Sequence, residues 1–181
     1  MHSQQVAYEV HGRLQSTRME SIMPMSALQL CNELVLRSEA RQKRLTNLEI
    51  QKLAYFCHGW YLALQGEPLV NDQGFEAWRL GPVLPDLYHT LKVFSSNPIP
   101  SSHPLLRRQE RVPMDSPDSA LIDRVLDIYG NFEGHQLVDM SHRPEGPWYR
   151  IWHDENASSG IPNGSIQAYF RQLAGQPNET S

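Results

Sequence analysis

Histidine and cysteine are residue types that can hold a metal or act as a nucleophile, and this chain contains both. There are eight histidines, of which His135, His142 and His153 are close together in sequence. Their spacings of seven and eleven residues differ from the i, i+4 pair of helical zinc sites and from a Cys-x-x-Cys clip. We therefore predict no metal site and no bound cofactor, and we interpret these histidines as surface or hydrogen-bonded core residues.

Nucleophilic and acid–base catalysis are also disfavoured. Cys57 and His58 are adjacent, but neighbours on a helix point in different directions and do not face each other. Cys57 also lies on an apolar stripe, where desolvation disfavours a thiolate. Glu76 and Asp86 flank a turn and could act as a carboxylate pair. We interpret Glu76 as a residue on a solvated face and Asp86 as a charge at a helix N-terminus. No G-x-S-x-G, phosphate-binding glycine loop or H-E-x-x-H motif occurs, so the sequence predicts a protein that is not an enzyme.

Two segments combine large aromatic side chains with residues that restrict the backbone. They are FEAWRLGPVLPDLY at 75–88 and SHRPEGPW at 141–148. Glycine and proline predict a turn in the first, and two prolines fix the direction of the tryptophan in the second. Burying one tryptophan contributes roughly 5 kcal/mol before entropy is counted, so a structural role stays open beside a binding role. The residues predicted to contact a partner are Trp78, Arg79, Pro82, Tyr88, His142 and Trp148.

Arg79 is the most suggestive of these residues. It falls within the segment 75–80, whose alternating pattern predicts a strand. A guanidinium in an apolar strand requires either an acidic partner or an interface with another molecule. An intramolecular carboxylate is the expected partner, with an interface as the alternative.

Composition and charge are typical of a soluble globular protein. The chain has 181 residues, of which 40% are hydrophobic, enough for one domain with a core. A net charge of −4 gives no broad positive field and disfavours a nucleic-acid partner. Two cysteines are too few for a disulfide framework, and no stretch is apolar enough for a signal peptide or a membrane span. We therefore expect a cytoplasmic protein that does not contact membranes.

The strongest pattern predicts a helix that the other elements must surround. A capping box at 46–49 precedes an apolar stripe over 50–64, and Gly66 ends the helix. Tyr55 and Phe56 lie outside that stripe, so the helix is apolar around much of its circumference. The sequence therefore places this helix at the centre of the fold.

Shorter elements are predicted on both sides of the central helix. The strand at 75–80 is expected to form a hairpin with residues 68–70. Periodic apolar residues predict amphipathic helices over 26–40, 83–94, 117–129, 134–140, 148–152 and 164–174. The predicted fold is mainly α with a small β-hairpin, a compact helical domain around a central buried helix.

The predicted domain covers residues 26–174. A flexible extension is expected at 1–25 and a polar tail at 175–181. Within the domain, residues 95–117 contain five prolines and show no sustained period, which is typical of a functional or disordered connection.

Four motifs in this order resemble the Panacea domain family, which also occurs in phage-associated proteins. They are IQKLAYFCHGWYLALQGEPL at 50–69, FEAWRLGPVLPDLYHTLK at 75–92, SHRPEGPW at 141–148 and IPNGSIQAYF at 161–170. The resemblance covers about 26–173 and implies a mostly helical antitoxin of a toxin–antitoxin pair. The family's signature residues correspond here to Gln51, Lys52, Leu53, Tyr55, Gly59, Trp60, Ala77, Trp78, Gly81, Pro82, Val83, Pro85, Tyr88, His142, Pro147 and Trp148.

The resemblance implies a chain that binds and neutralises a cognate protein toxin by direct contact. The loop at 95–117 and the extension at 1–25 are where we expect partner specificity to reside. One alternative is a DNA-binding regulator of its own operon, although the helix at 46–66 is apolar and has Lys52 as its single cation. Another alternative is a proteolytic adaptor that delivers a partner to an ATP-dependent protease. Association between copies of the chain is left open.

Overall fold

The computed structural model describes residues 24–155 and 157–175. Two short strands, β1 (Glu76–Trp78) and β2 (Gly81–Val83), form an antiparallel hairpin. The helices of the described residues are α1 (Ala27–Ala40), α2 (Asn47–Gln65), α3 (Pro85–Leu91), α4 (Pro104–Arg107), α5 (Pro117–Tyr129), α6 (Gly134–Ser141), α7 (Pro147–Trp152) and α8 (Asn163–Leu173). A 3-10 turn at Lys92–Phe94 extends α3. The predicted fold class, mainly α with a small hairpin, is confirmed.

The two ends of the chain are described only in part. The flexible extension expected at 1–25 lies outside the described residues up to position 23, and the polar tail lies outside them after Gly175. Met25 is buried and its amide donates to the Leu69 carbonyl oxygen at 2.9 Å. Within the described ranges, no helix is long and apolar enough to cross a membrane.

Helix α2 forms the centre of the structure. The predicted capping box is present between Thr46 and Glu49, and Gly66 ends the helix with a φ of 83°. Every residue from Ile50 to Ala63 is buried. Helices α1, α5, α6 and α8 all pack against it. The prediction that this apolar helix is buried at the centre of the fold is therefore confirmed.

Close approach of α8 to α2 depends on Gly59. A methyl group at Gly59 would overlap the ring of Phe170. That ring is held on its other sides, since it lies edge-on to Trp60 with the two ring centroids 5.1 Å apart and edge-on to Tyr55 at 5.6 Å. The absence of a side chain at Gly59 thus lets a large aromatic residue fill the space between the two helices.

The hairpin differs from the prediction in its partner strand. In the register of β1 and β2, Trp78 lies opposite Gly81, which leaves Arg79 and Leu80 as a two-residue turn. Gly81, the residue directly after this turn, has a φ of 101°, a left-handed conformation that glycine adopts without strain. The expected pairing with 68–70 is wrong, because Val70 instead forms an isolated parallel bridge with Met25.

A buried carboxylate fastens the proline-rich connection at 95–117 to α1. Glu33 on α1 accepts hydrogen bonds from Arg111 Nε at 2.7 Å, from the Val112 amide at 3.0 Å and from Arg37 Nε at 2.9 Å. Burial acts to raise the pKa of Glu33, but these hydrogen bonds outweigh it, and the pKa is lower than usual. The end of the connection is thereby positioned, while its role in partner choice stays a prediction.

We predict that Gly59→Ala destabilises the fold by about 1–3 kcal/mol, the usual cost of overpacking a core. Alanine is the better helix former by up to about 1 kcal/mol, so a loss of stability would show that the overlap with Phe170 dominates. Urea denaturation measures the free energy of unfolding. Gly164→Ala is the control, because a Cβ at Gly164 in α8 meets no atom within 4 Å. A Gly59→Ala protein as stable as the wild type would contradict this account of the α2–α8 contact.

Candidate partner-binding site

The two aromatic segments singled out in the sequence meet at the hairpin. Helix α7 packs against β1, and Trp148 Nε1 donates to the Trp78 carbonyl oxygen at 2.8 Å. The imidazole of His142 stacks on the Trp148 indole, with the ring centroids 3.5 Å apart and the planes 1° from parallel. The segment SHRPEGPW therefore binds the backbone of β1 on the buried side of the hairpin.

Lys52 holds the second strand in the same way. Its side chain is fully buried, and its Nζ donates to the Pro82 carbonyl oxygen at 2.6 Å. Burial lowers the pKa of Lys52 to about 7. A Cβ at Gly81 would lie 2.9 Å from this Nζ and 2.6 Å from the Ser141 hydroxyl, so the hairpin can approach α2 only with glycine there. Burial and the neighbouring Lys52 together lower the pKa of His142.

Side-chain amides on α2 hold the end of the hairpin and α3. Gln51 Oε1 accepts a hydrogen bond from the Leu84 amide at 2.9 Å. Gln51 Nε2 donates to Asn47 Oδ1 at 3.1 Å, and Asn47 Nδ2 donates to the Tyr88 carbonyl oxygen at 3.3 Å. This role of Gln51 and Lys52 was not predicted from the sequence. The available signal was two adjacent polar residues in an otherwise apolar helix, since buried polar groups need partners.

The outer side of the hairpin borders an open cleft of about 660 Å³. The rings of Trp78 and Tyr88 meet edge to face there, with centroids 5.0 Å apart. Leu80, in the turn, is 51% exposed. We call this feature the hairpin cleft, and the side chains that define it are Leu48, Trp78, Arg79, Leu80, Val83, Tyr88 and Lys92.

The six residues predicted to contact a partner lie around this one hairpin, in two groups. Trp78, Arg79 and Tyr88 line the hairpin cleft. Pro82 and Trp148 are buried, and the half-buried His142 stacks on Trp148. Contact between these six residues and a partner stays a prediction, and the first group is the one that faces an open surface.

Within the described residues, Arg79 does not have the carboxylate partner that was expected. It lies in the two-residue turn after β1 instead of within the strand, and it is exposed. None of the ion pairs among residues 24–155 and 157–175 includes it. The expectation of an intramolecular carboxylate is therefore wrong for this part of the chain, because the turn directs the guanidinium away from the core.

Cys57 and His58 are both engaged in the core and do not pair. Burial raises the pKa of the Cys57 thiol far above its ordinary value. His58 Nδ1 accepts from the Val70 amide at 3.2 Å, and Nε2 lies 3.0 Å from Asn163 Oδ1, to which it donates. Burial lowers the pKa of His58, consistent with a neutral ring. In the described part of the chain, no three His, Cys, Asp or Glu side chains converge as metal ligands.

Comparisons with known proteins match the region that builds this site. A family model described as "Antitoxin SocA-like, Panacea domain" matches residues 50–149, which include most of α2, the hairpin and Trp148. The protein named Antitoxin SocA from Caulobacter vibrioides (strain NA1000 / CB15N) is 34% identical over 149 residues. That alignment covers 76% of this chain and 76% of the relative. No solved structure gives a significant match.

We predict that Lys52 makes stability pH-dependent above neutrality. Its folded-state pKa of about 7 is below the ordinary lysine value of about 10.4. The unfolded chain therefore binds more protons between these values, and the stability contributed by this group rises with pH across that window. The free energy of unfolding of the wild type, relative to Lys52→Met, should rise by roughly 2 kcal/mol between about pH 7 and about pH 9.

The comparison with Lys52→Met cancels the titration of cysteines and tyrosines, which both proteins share. Lys92→Met, which removes an exposed ammonium, is the control, and its difference from the wild type should stay constant over the same range. A constant difference for Lys52→Met as well would show that the buried amine does not titrate as described.

Proposed function

Because this chain belongs to the family of SocA-like antitoxins with a Panacea domain, we propose that it binds a cognate protein toxin through the hairpin cleft and neutralises it by direct contact. The observation that supports this site is the difference between the two sides of the hairpin. On the buried side, two backbone carbonyls of the hairpin accept hydrogen bonds from Trp148 and Lys52. On the other side, Arg79 and Leu80 extend into solvent.

This arrangement suits protein recognition for two physical reasons. A backbone held in advance lowers the entropy that must be lost on binding. Tryptophan, tyrosine and arginine, here Trp78, Tyr88 and Arg79, are also the side chains that most often dominate binding energy at protein interfaces. The cleft combines these anchors on a rigid support.

A DNA-binding regulator receives less support from the geometry. The candidate recognition helix is α2, whose residues from Ile50 to Ala63 are buried and so cannot enter a groove. Its Lys52 is occupied by the Pro82 carbonyl and does not reach a phosphate. We also propose that the chain has no enzymatic activity, since Cys57 and His58 are both engaged in the core.

The test is co-expression of this chain with the product of the neighbouring reading frame, scored by growth and by co-purification. We predict that the wild type restores growth and co-purifies with its partner, and that Leu80→Asp does neither. Leu80 is half exposed, so an aspartate there should leave the fold intact while placing a charge in the cleft. Met114→Asp is the matched control, because Met114 is 74% exposed and lies outside the cleft.

Growth arrest that the wild type does not relieve, without a complex, would contradict the proposed function. Repeating the assay in cells that lack ATP-dependent proteases separates direct neutralisation from adaptor activity. Direct neutralisation predicts unchanged rescue in those cells. A complex that forms in the protease-deficient cells without rescuing growth there would instead identify a proteolytic adaptor.

A further inference from the structure

The charges of the hairpin cleft differ from those of the whole chain. The chain carries a net charge of −4, yet the described residues that line the cleft include two cations, Arg79 and Lys92, and no carboxylate. Both cations are exposed, and neither forms an ion pair with any residue that the structure describes. The lining of the cleft thus carries two positive charges on an acidic protein, and the Glu76 carboxylate nearby accepts a hydrogen bond from Trp78 Nε1 at 2.8 Å.

A second cleft, between α1 and α5, contains cations that pair with carboxylates of the same chain. It has a volume of about 410 Å³ and is also lined by two cations, Arg41 and Lys43. Arg41 pairs with Asp123 and Asp127 at 2.9 and 3.2 Å. Lys43 pairs with two glutamates at 3.2 and 3.0 Å. Among the residues that the structure describes, the cations of the hairpin cleft have no such partners, so an acidic group of another molecule could pair with them.

The rest of the cleft surface is apolar or neutral. Trp78 and Tyr88 form its aromatic wall, with Val83 and the half-exposed Leu80 beside them. An apolar side chain that packs here would remove both itself and this wall from water. Two serines at 95–96 also line the cleft, and a serine hydroxyl can donate to a carboxylate.

The backbone at one edge of the cleft is strained. Ser95 has a φ of 53° and a ψ of −124°, a conformation that residues with a side chain rarely adopt. Its amide donates to the Lys92 carbonyl oxygen at 3.0 Å and closes the turn that carries Lys92. Strain of this kind persists where the surrounding structure requires it, and such positions cluster at binding sites.

We propose that the hairpin cleft binds an acidic segment of the toxin, with an apolar side chain seated between Trp78 and Leu80 and carboxylates paired with Arg79 and Lys92. The guanidinium of Arg79 can hold one carboxylate through two parallel hydrogen bonds. The inference rests on the proposed function, since it describes the partner of the same site. Two cations on a chain of negative net charge favour a short acidic protein segment over nucleic acid, which requires a broader positive surface.

The test is charge reversal in the full-length chain, with the purified product of the neighbouring reading frame as the probe. Isothermal titration calorimetry measures Kd for the wild type and for the double variant Arg79→Glu, Lys92→Glu. We expect Kd to rise by about a hundredfold, because attraction is replaced by repulsion at two positions. Wild-type binding should also weaken as salt is added, since the proposed charge pairs are at the protein surface.

The matched control is Arg107→Glu, Arg108→Glu, which makes the same change in net charge at two exposed cations outside the cleft. Its Kd should stay within about fivefold of the wild-type value. A second check restores complementarity: acidic residues of the partner, located by cross-linking to the cleft, are changed to lysine. These partner variants should bind the charge-reversed chain more tightly than they bind the wild type.

Different failures have different meanings. If the wild type does not bind the probe at all, the proposed function fails. If the wild type binds and the cleft variant binds equally well, the function stands and the acidic-segment inference is overturned. Two further results overturn the inference by naming another occupant. One is a wild-type dimer in sedimentation equilibrium that dissociates on charge reversal, and the other is a single-stranded oligonucleotide that binds the wild type but not the cleft variant.

Discussion

The burial of Lys52 in the central helix imposes the main constraint on this structure. An amine in a packed core costs several kcal/mol unless it finds a hydrogen-bond partner, and here the partner is the Pro82 carbonyl oxygen of the hairpin. The hairpin must therefore lie directly over α2. That position in turn requires glycine at 81, where any Cβ would press against Lys52 and Ser141. Gln51, next on the helix, binds the amide that follows β2, so adjacent polar residues of one helix fix both the hairpin and its exit.

From this constraint follows the division of the hairpin into two sides. Trp78 shows it within a single residue, because its carbonyl oxygen accepts from Trp148 behind the hairpin while its ring contacts Tyr88 on the open side. Two backbone carbonyls of the hairpin thus bind core side chains, while the side chains of Trp78, Arg79 and Leu80 line the open cleft. Such a scaffold can change its outward residues without losing the contacts that hold it, which suits the proposed role in binding a partner.

Sequence patterns specify the helices of this fold better than its hairpin. Capping boxes and helical periodicity depend on neighbouring residues, so the position of α2 and its burial could be predicted. The partner of β1 could not, because alternation shows that a strand exists without showing what it pairs with. That error also placed Arg79 within a strand instead of in the turn. Glu33 and Arg111 are separated by 78 positions, and no local pattern links residues so far apart. Each motif could be recognised by itself, but the sequence did not show that all six candidate residues lie around one hairpin. The hydrogen bond from Trp148 to Trp78 that joins the two motifs is equally non-local.

The most direct test of the central claim, that the hairpin cleft is the surface that meets the toxin, is amide hydrogen exchange of the full chain with and without its co-purified partner. The account predicts slower exchange in the complex for amides at 78–96, with little change along α5 on the second cleft. Protection concentrated on α1 and α5, with exchange at 78–96 unaltered, would contradict it and move the interface to another face of the domain.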